Sequence, residues 1–434
     1  MKRRATLFAL LQLCLLSFAQ VSIGTGGEPA ESAILDLDAS DKGLLVPRLT
    51  TVQREAISSP ADGLCVYDTD ENRIYHYNTT SAEWEKVGTQ TDLTSRSRAG
   101  LRSTPKVKNV IFMIGDGMSF AQVQAAYTDN GNSLVMTTFP YTGMARTYCS
   151  DSKTTDSAAA ATAMSTGVKT KKYYVGKDSK GNNIDNILEI VKRSGLSTGV
   201  VVTNSVTNAT PAGYYGHNIN RNNQTQIAAD FLNSDMDVCI GGGLGQFSSS
   251  LRSQIAGKGY EVITSTNYNN VISSSSDKIL ALLADANMPK MTAGRGDMLP
   301  DCTTKALEIL SKNEKGFFLM VEGSQIDLGG HAREYNYMLT EMLDFDKAVK
   351  VAKDFAEKDG NTLVIVTGDH ETGGLAIYDE DKSYYANSVG TSTSAAHSCV
   401  PVPIFAYGPG AENFIGFLNN TDYKDKCLKL LGLQ

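Results

Sequence analysis

Histidine is scarce in this chain: 434 residues contain five, His76, His217, His331, His370 and His397. Tryptophan is scarcer still, with Trp84 alone. The seven cysteines include no Cys-x-x-Cys pair and no cluster, which removes paired-cysteine motifs from consideration and leaves isolated buried thiols as the expectation. No basic block follows Lys2, Arg3 and Arg4, and the net charge is −7, so nothing favours nucleic acid or an anionic membrane surface as a partner. No apolar run is long enough for a membrane span. An acidic chain can still bind phosphate, but only at a local positive centre such as metal ions or a single arginine.

What remains is ordinary globular material. Hydrophobic residues make up 41% of the chain, with length for a sizeable core and more than one domain. Residues 1–20, MKRRATLFALLQLCLLSFAQ, read as a secretory signal: a charged start, an apolar stretch from Ala5 to Ala19, and a small-x-small end at Ser17-Phe18-Ala19. Leu13 ahead of Cys14 argues against a lipoprotein, so the expectation is an exported protein, periplasmic or at the cell surface. Residues 21–95 are a series of short β-like pieces with turn signals between them. A polar linker spans 96–105, and 106–434 form the main domain.

In that domain near-continuous apolar runs recur: VKNVIFMIG, STGVVVTN, MDVCIGGG, KGFFLMVEG, NTLVIVTG and VPIFAYGPG. Helical patterns such as DNILEIVKRSG and CTTKALEILSKNE lie between them. The fold class expected is α/β: a three-layer sandwich with a mostly parallel central sheet covered by helices on both faces.

Ligands in such folds sit beyond the carboxyl ends of the strands. Three of those ends carry acids: Asp116 in GDG, Glu322 in MVEG, and Asp369 beside His370 in VIVTGDHETGG. One acid at a strand end is a common turn residue. Three are hard to explain that way, because buried like charges repel unless a cation lies between them. In QIDLGGHARE, Asp327 precedes His331 by four residues; the intervening glycines make a loop the expectation there. His397 stands alone in SAAHSCVPVP. Mixed Asp and His donors suit zinc and an all-oxygen set suits magnesium, and the chain offers both. DSKTTDSAAAATAMSTG predicts a helix stopped by Gly167, with Ser157 in its first turn, where free N–H groups favour an anion. Taken locally, the simpler reading prevails: Asp156 or Ser157 is an N-cap that satisfies those N–H groups.

Together these segments resemble the alkaline phosphatase family. VIFMIGDGM, TDSAAAATAMSTGVKT, ATPAGYYGHNINR, LSKNEKGFFLMVEGSQID, VIVTGDHETGG and the final AYGPG fall in the family's order across 106–434. The resemblance implies hydrolysis of phosphate monoesters through a covalent phosphoserine at Ser157, at a site of two Zn2+ and one Mg2+. It implies that Arg221 grips two phosphate oxygens and that Asp156 orients Arg221. Asp327, His331 and His397 would hold one zinc, and Asp369, His370 and Asp116 the second. Asp116, Glu322 and Thr210 would hold magnesium. Residues 21–95 resemble a small module of phage tail fibres and some exported bacterial proteins, carried by ILDL, KGLLVPRLTT and LCVYDTDENRIYHYN, which implies surface attachment.

Two positions depart from well-known bacterial members. Asn208 and Leu328 stand where an aspartate and a lysine lie around the magnesium, so Asn208 is expected outside the ligand set, and the third ion's identity is the open point. His217 is expected in a supporting or structural role. The family is often dimeric, so a homodimer is an expectation, although the segment between Gly374 and His397, where many members carry a larger insertion near the dimer contact, is short. The competing readings are a phosphodiesterase, which would favour a threonine nucleophile, and a sulfatase, which needs a C-x-P-x-R cysteine. A surface-binding protein with a vestigial enzyme domain is a third. IGGGLGQFS lacks dinucleotide-binding spacing and reads as a loop.

Overall fold

The computed structural model describes residues 21–24, 35–38, 44–87, 107–378, 382–384 and 396–434. The segments read as signal and linker lie outside them. The chain divides into two units, Met1–Arg102 and Ser103–Gln434.

In the first unit, Arg48–Leu49, Cys65–Asp68, Arg73–Asn78 and Glu83–Lys86 form a four-stranded sheet in sequence order. The helix Thr51–Glu55 carries Arg54, whose Nε donates to Asp68 at 3.0 Å while its guanidinium lies 4.0 Å from the Tyr75 ring. Val21–Gly24 and Leu35–Asp38 pair as a separate parallel ribbon.

The second unit is built on ten strands. In chain order they are β1 Asn109–Gly115, β2 Tyr141–Arg146, β3 Ser197–Ser205, β4 Val238–Gly242, β5 Glu261–Ile263, β6 Ile279–Leu282, β7 Phe317–Gly323, β8 Thr362–Gly368, β9 Val402–Tyr407 and β10 Gly416–Asn419. Their order across the sheet is β5-β6-β4-β3-β7-β1-β8-β9-β2-β10. Only β9 runs against its neighbours. The expected apolar runs all became strands; β2, β5, β6 and β10, shorter or less apolar, did not announce themselves.

Side chains alternate across the sheet as strand geometry requires. Val110, Phe112, Ile114, Phe318, Met320, Leu363 and Ile365 face one core. Ile111, Met113, Leu319, Val321, Val364 and Val366 face the other. Ser157–Thr166, Ile187–Arg193, Gln224–Ser234 and Asp422–Leu431 cover the first face. Phe120–Asp129, Met298–Leu310 and Tyr335–Asp359 cover the second. Strands buried on both faces explain the unbroken apolar runs. The three-layer sandwich is the observed fold. Cys65, Cys149, Cys239, Cys302, Cys399 and Cys427 are all unbonded, and four of the six are buried.

One local expectation was wrong. QIDLGGHA is an α-helix, Gln325–Ala332, not a loop. Its glycines serve packing: a Cβ on Gly329 would sit 2.6 Å from the Met338 nitrogen, and one on Gly330 would sit 2.8 Å from the Thr372 carbonyl oxygen. Close approach of two backbones outweighs the helix-propensity cost of glycine.

Candidate active site

The four central strands β3, β7, β1 and β8 are parallel neighbours whose carboxyl ends share one edge of the sheet. Gly115, Gly323 and Gly368 are level in register there. The chain beyond each strand therefore enters the same space. β1 delivers Asp116 and β8 delivers Asp369 and His370. Glu322 is the penultimate residue of β7, which the helix with Asp327 and His331 follows. After β3, the turn Ala209–Ala212 presents Thr210. This is the strand-end crevice expected for the fold.

Two ligand-like clusters result. Asp327, His331 and His397 each bring one donor atom within 4.8 Å of the others, and Asp116, Asp369 and His370 do the same. The helical turn aligns Asp327 and His331 at i and i+4, with Oδ2 and Nε2 3.3 Å apart. His397 joins from the short strand His397–Ser398, which pairs with Glu371–Thr372. Its Nδ1 lies 2.8 Å from the Thr155 carbonyl oxygen, which fixes that nitrogen as the protonated one and leaves Nε2 free, 3.1 Å from His331 Nε2. His370 Nε2 sits 3.1 Å from Asp369 Oδ2 and 3.6 Å from Asp116 Oδ1.

Electrostatics shows what this arrangement can hold. Asp116, Glu322, Asp327 and Asp369 are all buried. Burial, then the charges of Asp369, Asp327 and Glu322, push the Asp116 carboxyl well above its ordinary value. Glu322 is pushed up to about 8, chiefly by burial. Burial also opposes ionisation of Asp327, but the hydrogen bond with His331 and the charges of His397 and His370 outweigh it and hold the carboxyl low. Burial and the neighbouring His370 charge bring His397 down to about 4. Asp116 Oδ1, Glu322 Oε2 and Thr210 Oγ1 are buried with no hydrogen-bond partner. Unpartnered oxygens on buried acids that repel one another fit a cation site. The donor sets fit two ions of the zinc type and one oxygen-liganded ion of the magnesium type.

Ser157 is the first residue of the helix Ser157–Thr166, capped by Asp156 through the Ala159 N–H and ended by Gly167 in the left-handed region. Both local readings hold together: Asp156 is the N-cap, and that leaves Ser157 inside the first turn. Ser157 Oγ lies 3.2 Å from His370 Nε2. Arg221 is held across its guanidinium, Nη1 donating to Asp156 Oδ2 at 3.2 Å and Nη2 to Asn208 Oδ1 at 3.1 Å.

The structure brings Ser157, Arg221, Asp156 and both clusters together. Asn208 holds Arg221 and caps its own helical turn. His217 stands apart from the ligands: its Nδ1 is 2.7 Å from the Gly176 carbonyl oxygen and its Nε2 2.9 Å from Glu189. Thr372 escaped the sequence reading. Its Oγ1 donates to Asp327 Oδ1 at 2.5 Å and lies 3.1 Å from His370 Nδ1, touching both clusters. A lone threonine carries no signal of its own; its place two residues after His370 was the available hint.

The alkaline phosphatase family model matches residues 107–389. A phage tail like trimerisation region matches residues 22–100. Alkaline phosphatase 4 of Bacillus subtilis is 33% identical over 432 residues, covering 80% of this chain and 93% of the relative. The solved alkaline phosphatase of the Antarctic bacterium TAB5 superposes with a TM-score of 0.70 at 40% identity, covering 76% of this chain and 100% of that one. A histidine-to-aspartate mutant of the TAB5 enzyme, 39% identical with a TM-score of 0.69 over 76% of this chain and 99% of its own, was solved with magnesium bound. This chain belongs to the alkaline phosphatase family and is a phosphoric monoester hydrolase.

Proposed function

We propose that the enzyme hydrolyses phosphate monoesters through a covalent phosphoserine on Ser157. The observation that carries this reading is the position of Ser157 Oγ: at the N-terminus of a helix, 3.2 Å from His370, on the same cradle as Arg221. Asp327, His331 and His397 would hold one zinc, Asp116, Asp369 and His370 a second, and Asp116, Thr210 and Glu322 a magnesium ion. Bound there, such cations supply Lewis acidity that favours the ionised serine and neutralises charge building on the leaving oxygen.

The chain's own residues account for the rest. Arg221 takes two non-bridging oxygens of the phosphoryl group in a bidentate grip, its plane fixed by Asp156 and Asn208. The N–H groups of the first helical turn add to that cradle. Ser157 Oγ attacks phosphorus in line, and the bond from phosphorus to the ester oxygen breaks. Water then attacks the phosphoserine from the vacated side and releases phosphate. Buried walls hold both steps at fixed geometry, so little reorganisation is needed in the transition state.

Export is supported by residues 1–20. Among the described residues no helix is long and apolar enough to cross a membrane. The N-terminal unit's likeness to a trimerisation region supports assembly and surface presentation of several copies rather than a role in the chemistry.

The test compares an aryl phosphate monoester with the matching diester and sulfate, with zinc and magnesium, with chelator, and with Ser157→Ala. Chelator-sensitive monoesterase activity that collapses in the mutant, with acid-quenched phosphate located on Ser157 by mass spectrometry, is expected. Faster turnover of the diester or sulfate would overturn the substrate reading.

A further inference from the structure

Tyr173 has a backbone that few aromatic residues adopt. Its φ is +69°, and among the described non-glycine residues with positive φ it is the only aromatic. Such a conformation is unfavourable for a bulky side chain and persists where its surroundings impose it. Here the surroundings are the phosphate cradle. The Tyr173 N–H faces the Asp156 carboxylate, 3.2 Å from Oδ2 and 3.3 Å from Oδ1. Its carbonyl oxygen accepts the Arg221 N–H at 2.8 Å. The left-handed turn thus ties the residue to both members of the Asp156–Arg221 pair.

The neighbours are anchored inward. Val175 is fully buried, and its N–H donates to the Asn218 carbonyl at 2.8 Å. The Tyr174 carbonyl accepts from Thr162 Oγ1 on the nucleophile helix. Lys172 reaches Thr154 Oγ1 with its ammonium. Tyr173 is different: it is 53% exposed, and among the described residues no hydrogen bond or ring contact holds its phenol. One methylene separates ring from backbone, so the half-exposed ring stays close to the Asp156–Arg221 pair that the Tyr173 backbone holds.

We propose that the Tyr173 ring forms a wall for the leaving group and biases the enzyme toward monoesters of planar aromatic alcohols, the aryl phosphates, over small alkyl phosphates. This rests on the phosphomonoesterase reading above. An aromatic face gains from offset stacking on a flat leaving group and gains little from a short alkyl chain.

The test uses the metal-loaded full chain and the variants Tyr173→Gly, Tyr173→Asn and Tyr173→Phe. Glycine and asparagine tolerate positive φ, so both remove the ring while keeping the turn. Phenylalanine keeps the ring and removes the hydroxyl. The ratio of kcat/KM for phenyl phosphate to that for glycerol phosphate is expected to fall about fivefold in the first two and to hold in the third. Calorimetric binding of phenylphosphonate relative to methylphosphonate is expected to shift the same way. Equal losses on both substrates would make Tyr173 a mere support for Asp156 and Arg221 and overturn the inference. An unchanged ratio overturns it as well. A wild-type chain that hydrolyses neither ester would overturn the phosphomonoesterase reading, and this inference with it.

Discussion

Thr372 Oγ1 donates to Asp327 Oδ1 at 2.5 Å and sits 3.1 Å from His370 Nδ1, so one hydroxyl braces a ligand of each candidate zinc site. Thr372→Val keeps the shape and removes the brace. Outer partners of metal ligands are worth about 10–100-fold in metal affinity. The valine variant is therefore expected to lose zinc to chelator at correspondingly lower chelator concentration, while Thr372→Ser retains it. Metal content after dialysis against graded chelator checks this.

Asn208 completes the grip on Arg221. Removing it in Asn208→Ala leaves Nη2 without its partner and lets the guanidinium swing. A hydrogen bond to a charged group contributes about 1.5–3 kcal/mol, so the inhibition constant for inorganic phosphate should rise by about ten- to a hundredfold. Asn208→Asp keeps an acceptor and should lose far less phosphate affinity. Product-inhibition assays at fixed metal concentration separate the two variants.

Gly329 lies where the ligand helix presses on the start of Tyr335–Asp359. In Gly329→Ala a Cβ would meet the Met338 nitrogen at 2.6 Å and its Cα at 2.7 Å, both backbone atoms that cannot rotate away. Overpacking of this kind costs about 1–3 kcal/mol. The expected outcome is a lower Tm together with weaker zinc retention, because Asp327 and His331 ride on the displaced helix. Gly257→Ala, at a helical position with open space around it, is the control and should not destabilise.

His217 provides the pH dependence. Burial disfavours its cation, but the Glu189 carboxylate and the Gly176 carbonyl outweigh burial, and its pKa lies above the ordinary 6.5. A raised folded-state pKa contributes stability that is complete below the unfolded value and is lost as pH rises through the folded one. The Tm difference between wild type and His217→Gln should be largest near about pH 6 and shrink toward about pH 9. A difference that grows with pH would contradict the Glu189–His217 pairing as its cause.

The sequence by itself determined the class of fold and the family. The apolar runs Val110–Ile114 and Leu363–Val366 have no polar face to offer water, so the strands Asn109–Gly115 and Thr362–Gly368 had to lie between two helical layers. The acids closing those runs marked the site, and the order of the motifs supplied the family. Short edge strands such as Gly416–Asn419 were not legible, because a few residues with two exposed positions carry no periodicity.

Tertiary structure decided how the pieces act on one another. A helix at Gln325–Ala332 was hidden by its glycines, which local propensity counts against a helix and close packing against Met338 requires. The contacts of Thr372 and Tyr173 were equally silent, since each depends on which atoms stand within hydrogen-bonding reach across large gaps in the chain. Local residue type fixes what a side chain can donate or accept; only the parallel register of four central strands fixes what it meets.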